Sequence, residues 1–250
     1  MRAFKKYGLS FVEETTDRID DVYIVTKEFV EKLFCEVSKL STRYDNDIFS
    51  ELPYTYTERR LDCVILPVLS KICNGLVLDE YPVQRQCSTN KFNVDNSMGR
   101  IDYWCVYGGY SFVIELKHSF DCFTTKGTRE DKVVKPWYKM NEQLESIKKE
   151  VRYFEEKTNG VILLGLHFIT SYSDKTPDET LIRQFKKKIP EIVARLPRDV
   201  SKRYPSLKPD MIIGWSIPSK FVLNGEQTFP GLWAMVKIGG VIQHYGARAK

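Results

Sequence analysis

Two glycines, Gly108 and Gly109, separate two runs of β-branched and aromatic residues, and this pattern constrains the fold more than any other part of the sequence. A Gly-Gly pair in this setting predicts a β-hairpin with a two-residue turn, because the favoured turns need positive φ angles. The predicted hairpin covers residues 101–117. Its register pairs Tyr107 with Tyr110, Cys105 with Phe112, Tyr103 with Ile114 and Asp102 with Glu115.

The far end of this hairpin is unexpectedly charged. Directly opposed residues share a face of the sheet, so Asp102 and Glu115 meet there, and Lys117 points the same way. Two opposed carboxylates repel each other, and a divalent metal ion would relieve the repulsion. A solvated face with an ordinary surface ion pair is the alternative, and a register slip or bulge would remove the opposition. In that case Asp79 and Glu80 are the fallback ligands.

Length and composition fit one globular domain covering residues 1–250. The chain has 250 residues, a formal net charge of +5 and a hydrophobic fraction of 42%, which is ordinary for a soluble protein. No apolar run reaches the length of a membrane span, and the N-terminus lacks the pattern of a signal peptide. We therefore expect a cytoplasmic protein without a membrane segment. The six cysteines contain no CxxC pair and do not indicate a zinc site.

Hydrophobic periodicity places helices and further strands around the hairpin. The predicted helices cover residues 27–43, 57–73, 137–157 and 178–196, and the predicted strands cover 76–87, 161–169, 211–217 and 232–238. Prolines are expected to interrupt the strand at Pro82, to break the last helix at Pro190 and to kink or end the second helix at Pro67. The expected fold class is α/β, with a central mixed β-sheet flanked by helices and an N-terminal helical segment.

Asp102, followed by Glu115-Leu116-Lys117 on the returning strand, resembles the D…(D/E)xK signature of the PD-(D/E)xK nuclease superfamily. Ile101 stands where the proline of the family name would be. The predicted elements between residues 57 and 169 follow the order of the superfamily core: helix, three strands, helix, strand. The resemblance implies a restriction-endonuclease-like core over about residues 57–169, with residues 178–238 extending the sheet.

The resemblance also implies a magnesium site, with Mn²⁺ as a second option. Asp102, Glu115 and the backbone carbonyl of Leu116 would hold the ion, and Glu58 looks like the additional acidic ligand that many members carry on the preceding helix. Glu58 has an equally simple alternative role, because acidic residues are favoured in the first turn of a helix.

Two further residues receive catalytic roles from the resemblance. Lys117 would orient or deprotonate the attacking water, or neutralise the charge that develops at phosphorus. Gln143 is similar to the glutamine of the exonuclease-like branches, although Ile147 replaces the usual companion tyrosine. No histidine pair has metal-ligand spacing, and we assign no histidine to the site.

These features predict a Mg²⁺-dependent nuclease that hydrolyses phosphodiester bonds, with DNA as the expected substrate, in restriction, defence or repair. The basic segment 126–139 could line a groove for phosphates, with Trp137 and Tyr138 available for stacking, although both could equally be core aromatics. A homodimer would suit double-strand cleavage. One alternative is a catalytically inactive nucleic-acid-binding module with the same fold. Another is a structural protein whose hairpin charges form a buried salt-bridge network.

Overall fold

The computed structural model describes residues 1–6, 9–16, 18–45, 52–90, 93–148, 151, 157–175, 178–216, 222–224 and 227–243. The helices are α1 Asp21–Arg43, α2 Glu58–Ile72, α3 Lys135–Ile147 and α4 Glu179–Arg203. The strands are β1 Arg2–Lys6, β2 Leu9–Thr15, β3 Val77–Asn90, β4 Asn93–Tyr107, β5 Tyr110–Cys122, β6 Gly160–Ser173, β7 Met211–Ser216, β8 Val222–Asn224 and β9 Gln227–Gln243.

All nine of these strands belong to one sheet. Eight follow the order β1-β2-β7-β9-β6-β5-β4-β3, and β8 pairs with β9. Strands β5 and β6 run parallel, with α3 in the connection between them, and the other described pairs are antiparallel. The predicted α/β class with a mixed sheet flanked by helices is confirmed.

Helices cover both faces of the sheet, which explains why its central strand is apolar throughout. The apolar stripes of α1 and α2 pack on one face against side chains of β5 such as Phe112 and Ile114. On the other face, α3 and α4 supply residues such as Trp137 and Leu196. Strand β6 lies in the middle and is buried along almost its whole length, as expected for a strand covered on both sides.

The N-terminal region differs from the prediction. Strands β1 and β2 precede the first helix, so the N-terminal segment contains strands as well as a helix. Helix α1 begins at Asp21, six residues before the predicted start. The side chain of Asp20 accepts a hydrogen bond from the Tyr23 amide at 2.9 Å and caps the helix. Thr26, which directly precedes the predicted helix start, is buried inside α1.

Prolines interrupt fewer elements than predicted. Strand β3 continues through Pro82, because β3 lies at the edge of the sheet, where a missing amide donor costs no ladder hydrogen bond on its outer side. Helix α2 continues through Pro67, and α4 continues through Pro190 as far as Arg203. Pro190 lies on the exposed side of α4, where water can satisfy the carbonyl that lacks an amide partner.

The remaining differences concern boundaries. Helix α3 ends at Ile147, ten residues before the predicted end, and residues 149–150 and 152–156 lie outside the described residues. The strands of the hairpin extend well beyond the predicted 101–117. In the described part of the chain, no helix has both the length and the apolar character needed to cross a membrane.

Candidate active site at the separation of strands β4 and β5

The hairpin turn has the predicted geometry. Gly108 and Gly109 have φ angles of 57° and 80°, the positive values that a two-residue turn requires. The ladder between β4 and β5 confirms three predicted pairs and ends with Tyr103 opposite Ile114. The fourth predicted pair, Asp102 opposite Glu115, therefore does not belong to the ladder, and the two strands separate at this point.

Asp102 occupies the gap between the separating strands. Its Oδ2 accepts a hydrogen bond from the backbone amide of Leu116 at 2.6 Å. Burial raises the pKa of Asp102, while this amide and Lys117 act in the opposite direction. Asp102 is thus fixed directly to the strand that carries Glu115, although it is not a ladder partner of that residue.

An acidic cleft opens beside Asp102, between helix α2 and the edge of the sheet. It has a volume of about 160 Å³. Five carboxyl side chains line it: Glu58, Asp62, Asp79, Glu80 and Asp102. The fold therefore brings the predicted ligand Glu58 and both fallback residues to the same cleft. Glu80 has a φ of 50°, a left-handed conformation that is uncommon for a residue other than glycine and that clusters at functional sites.

Glu115 is not among the residues that line this cleft, and it is fully buried. Its Oε1 accepts a hydrogen bond from Arg85 Nη2 at 2.5 Å. Its Oε2 has no hydrogen-bond partner among the described residues. Burial and the nearby charge of Asp102 raise the pKa of Glu115 to about 7, against the opposing effect of Arg85. The negative charge of Asp102 therefore acts on Glu115 although the two residues are not paired in the β4–β5 ladder.

Lys117 and Glu58 come together across the gap between β5 and α2. Lys117 Nζ donates to the carbonyl oxygen of Leu116 at 2.8 Å and lies 4.0 Å from Glu58 Oε1. Glu58 Oε2 accepts a hydrogen bond from the His118 amide at 3.1 Å. Burial raises the pKa of Glu58, whereas Lys117 lowers it. Glu58 is also the first residue of α2, so its two predicted roles are compatible.

Gln143 lies on α3 as predicted and reaches the site through Arg85. The backbone carbonyl of Gln143 accepts a hydrogen bond from Arg85 Nη1 at 3.3 Å. Its side-chain Oε1 is buried and has no hydrogen-bond partner in the described residues. Gln143 therefore contacts the residue that pairs with Glu115, and not Glu115 itself.

Sequence reasoning missed Arg85, the cation that pairs with Glu115. Its side chain passes over Gly99 on the neighbouring strand, where an added Cβ atom would collide with the Arg85 stem. A glycine inside a strand often marks such a close approach, and Gly99 lies three residues before Asp102. That glycine was the available signal, but the sequence alone does not identify the side chain that crosses it.

The aromatic residues of the basic segment have structural roles. Trp137 is buried, and its Nε1 donates to the carbonyl of Leu207 at 2.9 Å, so its alternative reading as a core residue is correct. Tyr138 stacks on Tyr204 with ring centroids 4.6 Å apart. The basic residues of this segment are exposed: Lys126, Arg129, Lys132, Lys135 and Lys139.

The histidines in the described residues make hydrogen bonds inside the fold. His118 Nε2 lies 2.8 Å from Thr170 Oγ1, and His167 Nε2 lies 2.8 Å from Ser119 Oγ. Burial lowers the pKa of His118 to about 4 and that of His167 to about 3. Both rings are therefore neutral at physiological pH.

The site offers oxygen donors of the kind that hard cations prefer. Within the described ranges, no three His, Cys, Asp or Glu side chains form a group that could hold a metal ion. Asp102, Glu115 and the Leu116 carbonyl could still provide a smaller set, because Mg²⁺ is often held by one or two carboxylates together with water and substrate phosphate. Two of these donors are bonded to cations of the protein, Lys117 and Arg85.

Comparison of the chain with family models, with curated proteins and with solved structures finds no match.

Proposed function

We propose that this protein is a divalent-metal-dependent nuclease that hydrolyses phosphodiester bonds, with DNA as its expected substrate. The main support is the buried carboxylate of Glu115, which retains an oxygen without a hydrogen-bond partner next to the charge of Asp102. Arg85 compensates this carboxylate through Oε1 only, and a buried oxygen that is left without a partner is costly unless a further cation or donor compensates it. Perturbed acids beside a cleft are also typical of functional sites.

The arrangement of elements supports the restriction-endonuclease-like fold as part of this proposal. Helix α2, strands β3, β4 and β5, helix α3 and strand β6 follow each other in the order of that core. Asp102 and Glu115 lie within β4 and β5, at the end of the β4–β5 ladder that is farther from the turn. The side chain of Glu58 extends from the first turn of α2 towards Lys117.

In this proposal Asp102, Glu115 and the Leu116 carbonyl would hold Mg²⁺ or Mn²⁺, with Glu58 as a further acid at the edge of the site. A bound ion of this kind neutralises charge at the phosphate and favours ionisation of a water molecule. The ammonium group of Lys117 lies beside the Leu116 carbonyl, where it can orient that water or stabilise negative charge developing at phosphorus. Gln143 would support the site through Arg85.

A non-catalytic nucleic-acid-binding module with the same fold is the second candidate. It is favoured by the two protein cations, Arg85 and Lys117, that already occupy oxygens of the proposed ligand set. Such ion pairs could satisfy the acids without any metal.

Cleavage assays distinguish the two candidates. Supercoiled plasmid, linear single- and double-stranded DNA and RNA are incubated with the protein in Mg²⁺, in Mn²⁺ or in chelator. We expect metal-dependent cleavage that Asp102→Asn and Lys117→Ala abolish. Lys148→Ala, which changes an exposed lysine at the C-terminal end of α3, should leave cleavage intact. DNA binding without cleavage under every condition would favour the binding module. Sedimentation of the same samples tests for the homodimer.

A further inference from the structure

The guanidinium of Arg85 connects Glu115 to the neighbouring strand and to helix α3. Its Nη2 donates to Glu115 Oε1 at 2.5 Å and also to the backbone carbonyl of Arg100. Its Nη1 lies 3.3 Å from the carbonyl oxygen of Gln143 and 3.5 Å from Ser146 Oγ. A guanidinium can make several such bonds at once because its donors form a planar fork. Arg85 is therefore held in place from three sides.

The sequence provides a specific passage for this side chain. Arg85 lies on edge strand β3, and Glu115 lies two strands away on β5, so the side chain must cross β4. It crosses at Gly99, where an added Cβ atom would collide with its Cγ, Cδ and Nε atoms. The φ of Gly99 lies outside the left-handed region, so space for Arg85, and not backbone conformation, explains the glycine.

Arg85 holds Oε1 of Glu115, so a divalent cation that binds the unpartnered Oε2 would share this carboxylate with Arg85. The Arg85 side chain is only 11% exposed and the Glu115 side chain 1%, so the guanidinium takes part in closing Glu115 off from solvent. A divalent cation bound to Glu115 would face this positive charge at contact distance, and like charges in a buried setting repel strongly. A metal ion on Oε2 and Arg85 on Oε1 therefore compete for the negative charge of Glu115.

We propose that Arg85 is a resident counter-ion of Glu115, which a divalent cation displaces when it binds; this inference rests on the proposed metal site. Arg85 is thus a positioning residue that satisfies the buried acid in the cation-free protein and sets the affinity for the cation. The step is an exchange of one cation for another on the same carboxylate.

This exchange has a consequence that a purely structural ion pair would not have. Without Arg85, Glu115 is a buried and unpaired charge, so the cation-free protein loses stability. A divalent cation then binds without first displacing the guanidinium, and its affinity rises. Bound cation should restore the lost stability, whereas the loss from a structural ion pair would persist with and without the cation.

The test measures Mn²⁺ affinity by isothermal titration calorimetry, and thermal unfolding with and without saturating Mn²⁺. Arg85→Gln should bind Mn²⁺ about tenfold more tightly than the wild type, a change equivalent to about 1.4 kcal/mol. Its melting temperature should be lower without Mn²⁺ and return towards the wild-type value with it. Arg85→Lys, which keeps the charge, should bind Mn²⁺ almost as the wild type does.

Gly99→Ala provides an independent perturbation, because its methyl group should force Arg85 away from Glu115 and reproduce the tighter binding. The matched control is Arg129→Gln, which removes an exposed arginine paired with Asp131 and should change neither measurement. If the wild type binds Mn²⁺ but Arg85→Gln and Gly99→Ala bind it with the same or lower affinity, the proposed role of Arg85 is overturned, while the metal site is not. If neither the wild type nor any variant binds Mn²⁺, the proposed metal site is overturned together with this inference.

Discussion

Replacing Glu115 with glutamine should remove a pH dependence that this buried carboxyl imposes on folding stability. Burial and the charge of Asp102 raise the pKa of Glu115 from 4.5 to about 7. An acid with a raised pKa binds more protons in the folded state than in the unfolded state. Its contribution to stability is therefore complete at low pH and is lost as the pH rises from the unfolded pKa through the folded one.

The shift gives the size of the effect. One pKa unit corresponds to about 1.4 kcal/mol, so Glu115 should cost about 3 kcal/mol of unfolding free energy between about pH 4.5 and about pH 8. Glutamine has nearly the same shape and no charge to desolvate. Glu115→Gln should match the wild type at about pH 4, below the unfolded pKa, and be more stable than the wild type by up to about 3 kcal/mol at about pH 8.

Urea unfolding followed by circular dichroism, in the presence of a chelator, measures this difference across the pH range. Glu145→Gln is the matched control, because Glu145 is an exposed acid on α3 and should show no such pH dependence. A difference between Glu115→Gln and the wild type that does not change with pH would refute the reasoning. A wild type that gains stability over the variant as pH rises would refute it as well.

Other predictions concern the interior of the fold. Arg195 and Asp121 form a buried ion pair, with Nη2 and Oδ2 2.5 Å apart. Arg195→Met should lower the free energy of unfolding by about 3–5 kcal/mol, because Asp121 remains as an unpaired buried acid. Trp137→Ala should lower the free energy of unfolding by about 3–5 kcal/mol, because this side chain belongs to the core. Gly214→Ala should cost about 1–3 kcal/mol, because the new methyl group meets the Trp233 ring. Urea titrations check all three, and losses below about 0.5 kcal/mol, as for surface substitutions, would contradict them.

The parts of the fold that sequence reasoning identified are those with strong local signals. The Gly108-Gly109 turn determined the hairpin register as far as Tyr103 and Ile114, because the turn type and the alternation of side chains act over short distances. Strands β1 and β2 were missed. Their short mixed sequences are stabilised by pairing with each other and with β7, and such long-range pairing leaves little local pattern.

In the candidate site, too, the sequence identified residues with a local signal and missed a residue that acts through a long-range contact. The sequence singled out Asp102, Glu115 and Lys117 as candidate site residues through their spacing around the turn, and the fold places Glu58 Oε1 4.0 Å from Lys117 Nζ. It did not identify Arg85, because the contact with Glu115 spans thirty positions of the chain and crosses an intervening strand. The end of the ladder at Tyr103 was also not predictable, because strand separation depends on the packing of both neighbours.

The location of Mn²⁺ in crystals grown with this ion tests the central claim most directly, because anomalous scattering identifies the metal without a model of the site. We predict a peak bonded to the carboxylates of Asp102 and Glu115 and to the carbonyl of Leu116, with Arg85 withdrawn from Glu115. Crystals that contain Mn²⁺ elsewhere, or none, while Arg85 remains bonded to Glu115 would contradict the proposed metal site.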